Sequence, residues 1–264
     1  MRYSTSSWHS HLSHITLHFI HLPETDSTNL WLRNHADEFS SEEFTVVWTD
    51  HQTAGRGCGT NIWESASGEN LLFSVLCHPK NIPAIQQFLL LETMALAIKD
   101  ILDRTLPHDK EIKIKWPNDI YWHDSKLGGT LTECALNGQN MRWCIIGTGL
   151  NINQTVFSSQ LHNPVSLAQI TGKHLELSPL LHRICEAFIL RLQHLENELD
   201  TFIDQLQEEY MSALFRRHGF HPFHDAHETF EAEIVSIAPD GTLTLRDKQQ
   251  RLRNYKFKEI SFKI

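Results

Sequence analysis

Several signatures are missing from this 264-residue chain, and each absence removes a class of protein. No apolar run approaches the roughly 18 residues that a membrane-crossing helix needs. The first 22 residues lack the uninterrupted apolar core of a secretory signal. No Gly-Lys-Ser/Thr follows a glycine turn at Walker spacing, and GxGxxG does not occur. The five cysteines, Cys58, Cys77, Cys134, Cys144 and Cys185, form no CxxC pair or regular framework. An odd number of them within apolar segments reads as reduced thiols of a cytoplasmic protein. Basic residues are in deficit: 23 Lys and Arg against 32 Asp and Glu, a formal charge of -9. That balance disfavours a general nucleic-acid binder, which needs a basic face to displace counterions. There is no internal repeat and no low-complexity tract.

What remains is ordinary globular protein, 41% hydrophobic and 9% aromatic, long enough for one large domain or one large plus one small. His9, His11, His14, His18 and His21 crowd the amino terminus, but no Cys or carboxylate pattern frames them as metal ligands. Residues 1–20 therefore read as a loose extension running into an edge strand near Ile15 to Ile20. Short apolar or alternating runs bounded by Gly, Pro, Asn or Asp predict strands at Thr45–Trp48, Leu71–Leu76, Ile112–Lys115 and Trp143–Ile146. Pro83–Leu106 reads as a helix, with Phe88, Met94, Ile98 and Leu102 at helical spacing. A second helix opens at Ser178-Pro179 and carries Leu180, Ile184, Phe188, Leu192 and Leu195 on one stripe. Phe202, Leu206, Tyr210 and Leu214 continue the rhythm.

After Arg217 the character changes. Phe230–Ile237, then Asp240-Gly241, then Thr242–Leu245 is a strong hairpin signal, and Tyr255–Ile264 alternates again. Residues 222–264 thus read as a small β-barrel appended to a mixed α/β domain over 21–217. His218, His221, His224 and His227 recur every third residue, but Pro222 breaks a regular helix, so they read as a solvated linker.

Three polar or glycine-rich segments sit between strands, where a site can be presented. Gln52 to Trp63 holds three glycines able to turn backbone amides toward an anion. It also offers Arg56 as a bidentate donor and Trp63 as a flat face for a base. Lys115-Trp116-Pro117-Asn118-Asp119, followed by Lys126-Leu127-Gly128-Gly129, places Asn118, Asp119 and Lys126 together at a hairpin end. Gly147-Thr148-Gly149-Leu150-Asn151 closes an apolar strand with room for backbone approach and amide recognition. Each alone is equally a plain loop or a solvated turn.

Together, in this order, they resemble the catalytic domain of the biotin–protein ligases. Asp26-Ser27-Thr28-Asn29, Gln52 through Trp63 with Gly68-Glu69-Asn70-Leu71, Lys115 through Gly129, and Gly147 through Asn151 carry the resemblance. It runs from about residue 20 to 260. It implies an α+β fold: a mixed-sheet catalytic domain of the biotin/lipoate ligase type with flanking helices, plus a small C-terminal SH3-like β-barrel. It also implies ATP and biotin as substrates, a Mg²⁺ ion with no ligand residues assigned, and a biotin carboxyl carrier protein domain as partner. Ser27, Thr28, Asn29 and Gln52 would hold biotin's ring end, with Gly55 and Gly129 beside it. Arg56 and Gly57 would lie across the biotin carboxylate and the nucleotide phosphate. Lys126 matches the lysine beside the reacting carboxylate, and Trp63, Asn118 and Asn151 match positions around the adenine. Asp119 is the candidate to orient or deprotonate the carrier lysine. The segment Gly55–Trp63 matches a loop that orders over the intermediate.

The chemistry so implied has two anions meeting: biotin's carboxylate attacks the α-phosphate of ATP, giving biotinyl-AMP and pyrophosphate. Arg56, Lys126 and Mg²⁺ would neutralise the charge that develops. A carrier lysine then takes the acyl group, and AMP leaves.

Two departures from the family pattern stand out. After Gly55-Arg56-Gly57 the family usually continues with Arg or Gln, another residue and Gly; here Cys58-Gly59-Thr60-Asn61 follows. The expectation is a looser hold on the adenylate or a shifted loop. The short His-rich start leaves no room for the DNA-binding domain some members carry, so no operator binding is expected. Homodimers are common in that family, yet no residue pattern marks an interface. Two alternatives stay open: a lipoate–protein ligase, which shares fold and acyl-adenylate chemistry, and a degenerate biotin-binding module without turnover.

Overall fold

The computed structural model describes residues 4–9, 16–106 and 111–264. Eight strands form one sheet in the order β1-β2-β3-β4-β8-β7-β6-β5. They are β1 (Ser4–His9), β2 (Thr16–Thr25), β3 (Phe44–Gln52), β4 (Leu71–Cys77), β5 (Ile112–Lys115), β6 (Asp119–Trp122), β7 (Ser125–Asn137) and β8 (Asn140–Leu150). β2 and β3 run parallel and the other neighbours antiparallel, so the sheet is mixed.

The central strands are apolar throughout because both of their faces are covered. Phe19, Val46, Val75 and Ile146 point to one face and join the main core. Their neighbours Ile20, Val47, Leu76 and Ile145 point to the other and join a smaller cluster. Over the main core lie α2 (Phe88–Thr105), α4 (Leu177–Asn197) and α5 (Leu199–Ser212). Under the smaller cluster lies α1 (Thr28–His35), which contributes Leu32. Each side chain of this size taken fully out of water contributes about 1.5–3 kcal/mol.

Three elements differ from the sequence reading. The edge strand expected near residues 15–20 is not the edge: β2 is second from it, because the amino-terminal β1 forms the edge and pairs along β2 from Ser4↔His21 to His9↔Thr16. Within β2, His18 reaches Glu43 at 2.9 Å and His21 reaches Asp50 at 3.0 Å. His11, His14 and Ile15 lie outside the described residues. The long helix starts at Phe88, since Pro83 introduces only a 3-10 turn at Ala84–Gln86. The second helix starts at Leu177, one residue before the expected Ser178.

A second, five-stranded antiparallel sheet has the order β12-β11-β10-β9-β13. Its strands are β9 (His221–Asp225), β10 (Thr229–Ile237), β11 (Leu243–Asp247), β12 (Leu252–Tyr255) and β13 (Ile260–Phe262). Of the histidine string expected to be a linker, His221 and His224 therefore lie in strand β9, which is paired on both sides by β10 and β13. Alternation explains it: Phe223 is wholly buried while His224 faces solvent. This small C-terminal β domain is not merely tethered. Its Phe223, Ile234, Leu243 and Leu245 belong to the same continuous apolar core as α2 and β5. The segment after α5 also pairs with the β5 edge, with Ile114 N–H donating to Ala213 O and Phe215 N–H to Ile114 O. No helix among the described residues is long and apolar enough to cross a membrane.

Candidate active site

The α1 face of the sheet changes character along each strand. On β4 it reads Leu76, then Ser74; on β8 it reads Ile145, then Gly147 and Gly149. Apolar packing under α1 thus gives way to small and polar positions. There a cavity of about 660 Å³ opens, within the usual range for small-molecule sites. Ser27, Thr28, Asn29, Gln52, Arg56, Gly57, Trp63, Asn118, Asp119, Lys126, Gly129 and Asn151 all line it. Of the residues singled out from sequence only Gly55 does not. Its place is beneath, where Trp63 N–H donates to Gly55 O at 3.0 Å and a Cβ would collide with the Trp63 carbonyl.

One end of the cavity is a polar net at the start of α1. Ser27 is the N-cap, extended at φ -159, yet its side chain caps nothing. Gln52 Oε1 accepts from Thr28 N–H at 2.9 Å and lies 3.2 Å from Thr28 Oγ1. The Ser74 hydroxyl reaches Thr28 Oγ1 at 2.7 Å and Asn29 Oδ1 at 2.6 Å. Asn29 Nδ2 donates to Glu133 Oε2 at 3.0 Å. Ser27, Thr28 and Asn29 are each 3% exposed. Among the described residues, the Ser27 hydroxyl and Gln52 Nε2 make no protein hydrogen bond, so they are open to a polar ligand.

The middle is charged. Asp119 opens β6 opposite Gly129, with Oδ1 at 2.6 Å from Lys126 Nζ and Oδ2 at 3.6 Å from Lys115 Nζ. Lys115 also lies over the rings of Tyr121 at 5.1 Å and Phe262 at 5.5 Å. Burial pushes its ammonium below the ordinary lysine value, and Asp119 opposes that shift. Arg56 reaches Glu133 Oε1 at 3.3 Å. Asp119 and Lys126 meet as expected, with Lys126 at the start of strand β7 rather than in a turn of its own.

The other end is flat. Gly129 and Gly149 face each other across β7 and β8, and the Trp63 indole rests on Gly149, where any Cβ would strike the ring. Trp63 Nε1 is buried without a partner among the described residues, and Lys126 Nζ sits 5.8 Å from the ring. Asn118 and Asn151 both line this region but spend their amides on backbone. Asn118 Nδ2 donates to Thr130 O, and Asn151 Nδ2 donates to Val165 O at 3.1 Å. In the glycine loop, Gly57 N–H donates to Asn61 O at 2.8 Å, so that amide is internal to the turn.

The surrounding elements fix these positions. Tyr210 of α5 donates to Pro117 O at 2.6 Å, and Trp116 Nε1 donates to Gly241 O of the C-terminal domain at 3.1 Å. The short helix α3 (Leu167–Thr171), capped by Ser166 and Gln169, binds the backbone of Asn151 and Ile152.

Sequence reasoning missed Ser74, Glu133 and Lys258, and gave Lys115 no role. Ser74 is the lone hydroxyl in an otherwise apolar β4, a signal that was there to read. Glu133 and Lys258 carry no local signal, since only the sheet register and the docking of the second domain bring them in. The implied Mg²⁺ is not matched by a protein site. No group of three or more His, Cys, Asp or Glu able to hold a metal occurs among the described residues, and both Asp119 oxygens face lysines. An ion carried on the triphosphate of the nucleotide belongs to the substrate.

Comparison with known proteins bears directly on this constellation. Residues 21–151 match the model of the biotin/lipoate A/B protein ligase family. The chain is 28% identical over 239 residues to the bifunctional ligase/repressor BirA of Bacillus subtilis, covering 89% of this chain and 70% of that protein. The identity to the BirA of Escherichia coli is 34% over 131 residues, 50% of this chain and 39% of that protein. The chain spans 64% of the Bacillus spizizenii relative, so it falls short of two thirds of several relatives' length. The biotin protein ligase from Aquifex aeolicus, solved with biotin and ATP, superposes with a TM-score of 0.75 at 22% identity, covering 93% of this chain and 98% of that one. That likeness establishes the fold, and the matched segment, residues 21–151, belongs to the biotin/lipoate A/B protein ligase family.

Proposed function

We propose that the protein attaches biotin, at the expense of ATP, to a lysine of a biotin carboxyl carrier protein domain through a biotinyl-5'-AMP intermediate. The observation that carries this reading is the order of chemistries along one cavity: a polar net, then paired cations, then a flat aromatic floor. Relatives named biotin–protein ligase and the Aquifex complex with biotin and ATP support the same reading.

The polar net separates biotin from lipoate. A ureido ring offers two N–H donors and a carbonyl acceptor to Ser27, Thr28, Asn29 and Gln52. The dithiolane of lipoate offers none, and would leave buried hydroxyl and amide groups unpaired at about 1–3 kcal/mol each.

In the first step a carboxylate oxygen of biotin attacks the α-phosphorus, the bond to the bridging oxygen breaks, and pyrophosphate leaves. Lys126 lies between the net and Trp63, where both anions must meet. As the biotin carboxylate arrives, Lys126 exchanges Asp119 Oδ1 for the substrate oxygens. Arg56 turns from Glu133 to the α-phosphate, and Trp63 carries the adenine. In the second step the neutral carrier amine attacks the anhydride carbon, the carbonyl C–O bond breaks and AMP leaves as the phosphate anion, and the freed Oδ1 of Asp119 accepts the amine's one lost proton. The glycine loop closes over the anhydride and keeps water from it.

The test is ATP- and biotin-dependent labelling of a purified biotin-carrier domain, with lipoate as the competing acid. Wild type labels with biotin only, and Lys126→Ala slows adenylate formation by about 10²–10³-fold. Biotin binding without turnover in wild type would make the protein a binding module instead, and transfer of lipoate would overturn the assignment of the net.

A further inference from the structure

Four cations line the cavity: Arg56, Lys115, Lys126 and Lys258. Arg56 pairs with Glu133, and Lys115 and Lys126 share Asp119. Lys258 alone has no carboxylate at ion-pair distance among the described residues. It belongs to the C-terminal domain, in the turn between β12 and β13, and crosses to the catalytic domain. There its ammonium lies against Gly59 in the glycine loop, so close that any Cβ at Gly59 would collide with it. Its charge also acts on the Cys58 thiol, whose proton affinity burial raises and Lys258 lowers.

The backbone beneath it is unusual. Lys258 has φ 70, the left-handed region that glycine adopts freely and a side chain adopts at a cost. A strained residue whose amine is aimed at the glycine loop at the cavity wall, with no carboxylate at ion-pair distance among the described residues, points to a use for the amine. The loop itself has one basic residue, Arg56, because Cys58, Thr60 and Asn61 are neutral.

We propose that Lys258 holds the β- and γ-phosphates of ATP, the part that leaves as pyrophosphate, and so supplies from the second domain a charge the glycine loop lacks. This rests on the ATP-dependent reading above. Arg56 and Lys126 stand at the carboxylate and α-phosphate, whereas Lys258 stands over the outer turn of the loop, beyond the reacting atoms. It makes no contact with an adenylate once pyrophosphate has left.

The experiment separates the two half-reactions in full-length Lys258→Ala, Lys258→Gly and Lys258→Arg. Adenylate formation from ATP should show the KM for ATP raised about 10- to 100-fold in the alanine and glycine variants and restored by arginine. Inhibition by added pyrophosphate should weaken in parallel, while transfer from supplied biotinyl-AMP proceeds at the wild-type rate. Lys258→Gly should in addition melt at or above the wild-type temperature, because it relieves the strained φ. An unchanged KM for ATP in both variants overturns the proposal, as does an equal fall in the two half-reactions. A wild type that forms no adenylate defeats the ligase reading instead. Titration with ATP alone then still decides for Lys258, with equal affinity of wild type and Lys258→Gly counting against it.

Discussion

At the scale of single residues, Glu92 is a carboxyl group wholly removed from solvent. It lies on α2 with 0% of its surface accessible, and among the described residues neither carboxyl oxygen has a hydrogen-bond partner. Burial pushes its pKa up to about 8 from the ordinary 4.5. The unfolded chain gives up this proton near the ordinary value, whereas the native protein keeps it to about pH 8. Across that window the native state binds more protons, so stability falls as pH rises, by at most about 1.4 kcal/mol per pH unit. Glu92→Gln keeps the shape and removes the titration. Melting curves from pH 5 to 9 should show wild type losing thermal stability steadily and the variant staying nearly level. A parallel slope in both would mean that other groups set the pH dependence.

At the scale of elements, the site is the meeting of α1 with β4 and β8, and Ser74 ties them. Removing its hydroxyl leaves Asn29 Oδ1 buried beside a methyl group, a penalty of about 1–3 kcal/mol. Ser74→Ala should raise the KM for biotin about tenfold or more and leave the KM for ATP near wild type, because Trp63 and Lys126 are untouched. Equal rises in both would place Ser74 in general stability rather than in the net. The same elements explain what could be read from the chain. Strands β3, β4 and β5 were legible because burial on both faces, or strict alternation, leaves a clear apolar pattern. Strand β9 was not: its histidines and Pro222 resemble a loop, and it is a strand only because β10 and β13 flank it. The reach of β7 was hidden as well, since Gly128-Gly129 and Asn137 punctuate it, although Gly129 is needed opposite Gly149. The residues within the sequence motifs were legible as a set. Glu133 and Lys258 were not, because register and domain docking lie beyond any local pattern.

At the scale of the molecule, the question is whether the C-terminal sheet is an appendage or a wall of the catalytic domain. Phe257, Lys258, Ile260, Ser261 and Phe262 line the cavity, and the two parts share one apolar core. Separating them would expose Leu214, Phe223 and Leu243 to water, which favours one cooperative transition over two. The hinge of this union is the hairpin at Gly241, which has φ 84 and accepts the Trp116 indole N–H. A Cβ there would meet Phe88 of α2 at 2.8 Å. Calorimetry of wild type should therefore give a single unfolding transition. Gly241→Val, combining left-handed strain with that collision, should cost about 2 kcal/mol or more of stability and lower the midpoint accordingly. The displaced hairpin also releases Trp116, and with it the Lys115–Asp119 segment, so the variant should lose adenylate formation at temperatures where it is still folded. Two resolved transitions in wild type, or full activity in folded Gly241→Val, would show instead that the catalytic domain holds its site unaided.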